Sequence, residues 1–202
     1  MITTIIFDFG DVFINLDKPA TLRELEKWDV KDFSEKLVEI NQEFEKGLIT
    51  SREFISRFRE HYSHLNETDI TSSWNAILLD FPEYRLDFLK RLSEEKKYKL
   101  ILLSNTNDLH IDWVKENVPH FEDFRSCFDA FYLSQQINLR KPDASIFEFV
   151  LKENQLQPEE VLFIDDTREN TEAAAALGIH VWNIDPKTED VVDLFKVKKE
   201  LF

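Results

Sequence analysis

The chain has 202 residues, enough for one sizeable core and a small accessory domain but not for two full-sized domains. A hydrophobic share of 43% excludes general disorder, and a formal net charge of −15 disfavours nucleic acid and anionic membrane surfaces as partners. An anionic substrate must therefore be drawn in by local positive charge or by a metal.

The first apolar run, Thr4–Phe9, opens directly onto acids at Asp8 and Asp11 with no basic region before it, which is the pattern of a strand rather than a signal peptide. Gly10 stands between those two aspartates. From about Asp17 to Leu79 the chain is dense in charge, offers no convincing strand and shows helical periodicity, as in Phe54, Ile55, Phe58 and Tyr62. Helices are predicted over Ala20–Trp28, Lys31–Lys46, Ser51–Tyr62 and Glu67–Leu79. Gly47 is placed to end the second, and Thr50 or Ser51 to cap the third.

Beyond this stretch, short apolar runs alternate with longer helical patterns, the signature of a parallel sheet covered by helices. The runs are Lys99–Ser104, Ala130–Leu133, Val161–Asp165 and His180–Asn183. Asn107 is a candidate helix cap, Pro142 helps to start a helix, and Gly178 stops the one over Asn170–Leu177. No apolar run is long enough to span a bilayer, which takes roughly 18 residues or more. The lone Cys127 excludes an intrachain disulfide and suits a reducing compartment, so a cytoplasmic location is expected, with Cys127 a small buried hydrophobe.

Ligands of open α/β sheets bind beyond the carboxyl ends of the strands, and the predicted strand ends here are polar: Asp8, Ser104-Asn105 and Asp165-Asp166. Lys141 follows in an Arg-Lys-Pro-Asp loop at 140–143. These groups supply what phosphoryl transfer through a covalent intermediate needs. Asp8 is a carboxylate nucleophile. Oxygens from Asp8, Asp166 and the backbone suit Mg²⁺, a hard ion that also contacts substrate phosphate. Ser104 and the amides after it are donors to phosphoryl oxygens, and Lys141 is a point charge that offsets repulsion between Asp8 and the incoming anion. Each signal alone is weak; their order and common edge are what point to a site.

With Phe-Asp-Phe-Gly-Asp-Val at 7–12, Glu-Lys-Gly-Leu-Ile-Thr at 45–50, Leu-Ser-Asn-Thr-Asn-Asp-Leu-His at 103–110, Tyr-Leu-Ser-Gln at 132–135, Arg-Lys-Pro-Asp at 140–143 and Phe-Ile-Asp-Asp at 163–166, the chain resembles the haloacid dehalogenase superfamily along its whole length. It is similar in particular to the bacterial α-D-glucose-1-phosphate phosphatase branch. The resemblance implies a Rossmann-like α/β core over 1–16 and 80–202 and a small all-helical cap over 17–79. It implies Asp8 as nucleophile and metal ligand, Gly10 giving its carbonyl to Mg²⁺, Asp166 as the third protein ligand and Asp165 acting through a water. Ser104, Asn105 and Lys141 would hold the phosphate of a small phosphorylated metabolite, with no protein partner required.

Most phosphatases of that superfamily carry a second aspartate two residues after the nucleophile, as acid for the leaving alcohol and base for the clearing water. Here that place is Gly10, as in the glucose-1-phosphate branch. Asp11, Asp17, His61 and His64 are the candidates to take over the role, or the leaving group is one, such as an anomeric hydroxyl, that needs little protonation. General acid–base help contributes roughly 10²- to 10⁴-fold, so two alternatives stand: a slower phosphatase, or a non-catalytic phosphate- and metal-binding regulator.

Overall fold

The computed structural model describes residues 1–30 and 34–202. In chain order its elements are β1 (Thr4–Phe7), α1 (Ala20–Glu26), α2 (Glu35–Glu45), α3 (Ser51–His61), α4 (Glu67–Asn75), α5 (Glu83–Glu95), β2 (Lys99–Ser104), α6 (Asp108–Asn117), α7 (Phe121–Ser126), β3 (Ala130–Leu133), α8 (Ser134–Ile137), α9 (Ala144–Asn154), β4 (Val161–Asp165), α10 (Arg168–Ala176), β5 (His180–Asn183) and α11 (Leu194–Val197).

The strands form one parallel sheet in the order β3-β2-β1-β4-β5. Period-2 alternation explains why. Ile5, Phe7, Leu100, Leu102, Leu162 and Ile164 face one core, whereas Ile6, Ile101, Leu103, Val161 and Phe163 face the other. Strands buried on both faces read as continuous apolar runs, and helices cover each side. The first core is rich in rings: Phe124 lies 5.0 Å from both Phe13 and Phe128, centroid to centroid.

β1 ends two residues before the predicted Phe9, because the Phe9 carbonyl accepts from the amides of Phe13 and Ile14 and the chain turns. The first helix ends at Glu26 rather than Trp28. The last helix of the insertion stops at Asn75, since Leu78 and Leu79 turn back against Leu16 and Asn15. The predicted start of the second helix at Lys31 lies outside the described residues. Thr50 caps α3 in a reciprocal capping box with Glu53, and Asn107 caps α6. Helix α9 begins two residues after Pro142.

Helices α1–α4 enclose a separate apolar cluster built around Phe44, Phe54, Phe58 and Trp74, with the Phe44 and Phe54 rings stacked at 4.5 Å. Arg85, almost fully buried, fastens the connections to this layer: it donates to Phe13 O, Asn15 Oδ1 and Asp190. Gly47 follows α2 with φ of +63°, and a Cβ there would stand 2.0 Å from Gln135 O on α8. Both the positive φ and the contact resist a side chain. Gly47→Ala is expected to cost about 1–3 kcal/mol of unfolding free energy, read by urea denaturation.

Candidate active site

Sheet register assembles the site. Phe7 is level with Leu102 and Ile164, so one residue further on Asp8 stands beside Asp165, and its amide donates to Ile164 O at 2.9 Å. Successive strands run from β1 out to β3, then resume at β4 on the opposite side of β1. Asp8 therefore lies at the topological switch point, where open α/β sheets bind ligands.

Lys141 comes to this point from the loop before α9. Its ammonium is 1% exposed and donates to Asp8 Oδ1 at 2.7 Å, Asp165 Oδ2 at 2.6 Å and Leu103 O at 2.8 Å. Burial pulls the Lys141 ammonium downward, but Asp165 and Asp8 outweigh it and hold it above its ordinary value. Asp8 also shifts upward, but with burial as the cause rather than the opponent. Burial raises its carboxyl to about 7, with Lys141 opposing and Asp165 adding to the rise.

The predicted partners divide into two groups. Asp165 is fully buried and saturated: besides Lys141 it accepts from Thr167 N at 2.8 Å and from Asn170 Nδ2 at 3.1 and 3.0 Å. Asn105 uses its side chain to clamp the Lys141 backbone, Nδ2 to Lys141 O and Oδ1 from Lys141 N, each at 2.8 Å. Its amide side chain thus fixes the lysine loop. Ser104 is buried at the end of β2, its hydroxyl only 3.5 Å from Asn105 O, so it has no strong internal partner.

Asp8, Gly10, Lys18, Asn105, Lys141 and Asp166 share the lining of one cavity of about 380 Å³. A hollow of about 430 Å³ lies around Lys96–Leu100 at the other end of β2 and holds none of the predicted site residues. Lys18 was missed in the sequence because it is one charge among many. It pairs with Asp166 and, at 3.2 Å, with Asp11.

Gly10 does not have the positive φ that its neighbour Asp11 adopts at 54°. What constrains position 10 is space rather than backbone angle: a Cβ there would meet the Leu16 Cδ1 at 2.7 Å. None of the four candidate replacement acids lines the cavity. Asp11 accepts from Leu16 N at 2.9 Å, Asp17 pairs with Arg23 at 2.7 Å, His64 bonds Trp28 O, and His61 is exposed.

The pattern of the haloacid dehalogenase-like hydrolases matches residues 2–178. The chain belongs to this family. It is 29% identical over 192 residues to a D-ribitol-5-phosphate phosphatase of Bacteroides thetaiotaomicron, covering 90% of this chain and 91% of the relative. A wild-type family enzyme from the same organism, crystallised with magnesium and inorganic phosphate, superimposes with a TM-score of 0.83 at 35% identity, over 96% of this chain and 100% of that one. A predicted family hydrolase from Porphyromonas gingivalis gives a TM-score of 0.85 at 28% identity, covering 100% of this chain and 98% of that one.

The hydrolase has a donor set that fits a hard divalent cation. Carboxylate oxygens of Asp8, Asp165 and Asp166 lie within 4.8 Å of one another. With Asp11 they make four carboxylates against the two ammonium groups of Lys18 and Lys141, an acid excess that a divalent ion would balance. Burial raises the Asp166 carboxyl while Lys18 opposes the rise, so neutralisation by a cation is favourable there too.

His110 joins the helical layer to the core rather than lining the cavity. Its Nε2–H donates to Trp74 O at 3.2 Å, and its Nδ1 accepts from Asn107 Nδ2 at 3.2 Å, an arrangement only the neutral ring satisfies. Burial lowers it to about 4. A depressed histidine contributes stability present above its ordinary value near 6.5 and lost as pH falls toward 4. His110→Phe is expected to flatten the fall in melting temperature across that window; an unchanged slope would contradict a role for His110 in acid sensitivity.

Proposed function

We propose that the chain is a Mg²⁺-dependent phosphoric monoester hydrolase that transfers the phosphoryl group of a small sugar-type phosphate to Asp8. The observation behind this is the Lys141 ammonium, 2.7 Å from Asp8 and 2.6 Å from Asp165 beside a three-carboxylate cluster. A nucleophilic carboxylate needs such a cation beside it to meet an anionic substrate.

One Asp8 carboxylate oxygen attacks phosphorus, the bond to the alcohol oxygen breaks, and that oxygen takes a proton. Water then attacks the aspartyl-phosphate, releasing phosphate and restoring Asp8. Asp8, Asp166 and the Gly10 carbonyl would hold Mg²⁺ directly. Asp165, whose lone pairs Lys141, Asn170 and Thr167 occupy, would act through water and hold Lys141 in place. When bound, Mg²⁺ neutralises phosphoryl oxygens and orients them for in-line attack. Ser104 and the amides after it donate to the same oxygens, and Asn105 keeps the Lys141 loop aligned. Residues 17–79 act as the cap over the core of 1–16 and 80–202.

Gly10 leaves the leaving oxygen to take its proton from water, which suits an anomeric or similarly acidic hydroxyl. The likeness to the glucose-1-phosphate branch and the ribitol-5-phosphate relative both favour a polyhydroxylated phosphate. The test is phosphate release across sugar, polyol and alkyl phosphates with and without Mg²⁺. Metal-dependent release, greatest for the hydroxylated members, is expected. Silence across the panel from protein that binds Mg²⁺ would favour the regulator instead.

A further inference from the structure

Among the described residues, two ammonium groups reach the carboxylates at the switch point, and they differ in how firmly they are held. Lys141 is 1% exposed, and turning it away would strand the three oxygens to which it donates. The Lys18 side chain is 52% exposed and comes from the connection between β1 and α1. It holds Asp166 on one side and, at 3.2 Å, Asp11 Oδ2 on the other.

The two aspartates that Lys18 joins also differ. The Asp11 carboxylate is fixed by the Leu16 amide, which donates to Oδ1 at 2.9 Å and leaves Oδ2 to Lys18. The Asp166 side chain is only 7% exposed, and among the described residues Lys18 alone donates to it. Asp165 beside it is served by fixed donors instead, from Lys141, Thr167 and Asn170. A nearly buried carboxylate has to be paired or to coordinate a metal. Asp166 therefore depends on a cation, and the one that serves it sits on a half-exposed, flexible stem.

Asp166 is also a ligand of the Mg²⁺ site proposed above, its carboxylate within 4.8 Å of those of Asp8 and Asp165. An ammonium bonded to Asp166 and a divalent ion on the same carboxylate repel each other strongly at such short range. A half-exposed lysine is released to water at small cost, whereas the buried Lys141 is not. Asp11 gives Lys18 a second seat, so its charge stays beside the cavity that it lines.

We propose that Lys18 is a built-in competitor of Mg²⁺ for Asp166, pairing with that carboxylate until the ion binds and then withdrawing toward Asp11 and solvent. This rests on the Mg²⁺-dependent phosphatase reading and adds to it a residue that sets how tightly the ion is held. Asp166 is paired in either state, and the affinity for Mg²⁺ is weaker than the carboxylates alone would make it.

The experiment titrates Mg²⁺ by calorimetry into EDTA-treated, dialysed protein: the wild type, Lys18→Met and Arg140→Met. Arg140 lines the same cavity but pairs with Glu45, so its loss controls for charge alone. Circular dichroism establishes that each variant is folded. Lys18→Met should bind Mg²⁺ roughly 3- to 10-fold more tightly than the wild type, and Arg140→Met within about twofold of it. Unchanged or weaker binding by folded Lys18→Met overturns the proposal. So does equal tightening in both variants, which would reduce the effect to general charge. A crystal structure of the wild type with Mg²⁺ gives a second readout that needs no variant. Lys18 Nζ should lie beyond hydrogen-bond distance of Asp166, and an intact pair overturns the exchange. Binding without exchange leaves the phosphatase function standing. Absence of Mg²⁺ binding in the wild type and in both variants removes the metal site, and the Mg²⁺-dependent phosphatase falls with the exchange.

Discussion

Asp8→Asn is expected to abolish Mg²⁺-dependent phosphate release while leaving a folded protein. The loss should reach at least the ~10⁴-fold typical of removing a nucleophile that forms a covalent intermediate. Stability should move in the opposite direction. Burial raises the Asp8 carboxyl to about 7, so its contribution is fully present below its ordinary value near 3.8 and is lost as pH rises toward 7. The asparagine variant has no such charge to bury. Without Mg²⁺, its advantage over the wild type should grow by on the order of a few kcal/mol between pH 4 and pH 8, read by urea denaturation. A variant that loses activity and unfolds at every pH would show that Asp8 is structural. One that keeps releasing phosphate would remove it from the chemistry.

Lys141→Met should be the more damaging substitution for the fold. It strips the donor from Asp8, Asp165 and Leu103 O at once, in a place 1% exposed. Breaking a buried ion pair from one side typically costs 3–5 kcal/mol, roughly, because the charge left behind has no water to turn to. Asp165 retains Asn170 and the Thr167 amide, so the burden falls on Asp8, whose carboxyl should be driven further up. Phosphate release should vanish, and the urea midpoint should fall well below that of Asp8→Asn. A methionine variant within about 1 kcal/mol of the wild type would mean that the Lys141 cluster is not the electrostatic centre of the fold.

Much of the fold was legible because period-2 and period-3.6 burial are local signals. β2, β3, β4 and β5 fall on their predicted residues, and Thr50 and Asn107 cap the helices that their side chains announce. The misjudged boundaries share one cause. Phe9 and Leu78–Leu79 are as apolar as the strand and helix they follow, but long-range backbone pairing turns the chain there.

In the site, residues at strand ends could be read because the sheet fixes where strand ends point. What could not be read is who holds whom. The engagement of Asn105 with the Lys141 backbone spans 36 residues, and that of Lys18 with Asp166 spans 148. Neither leaves a trace in composition or spacing. The same holds for Gly10, where the constraint is the side chain of Leu16 across a turn rather than a backbone angle. Arg85, which ties the Phe13–Asn15 segment to Asp190, and the Glu45–Arg140 pair, which binds the helical layer to the core, looked in sequence like ordinary surface charge.

Covalent capture of the phosphoryl group by Asp8 is tested most directly by acid-quenched mass spectrometry of the wild type during turnover with Mg²⁺ and ribitol 5-phosphate. Since Gly10 supplies no base to activate the clearing water, the aspartyl-phosphate should accumulate. The expected result is a phosphoryl-sized mass increase on the peptide that contains Asp8, absent from Asp8→Asn. Steady phosphate release with no modified peptide would contradict the covalent route and place the attack on water instead.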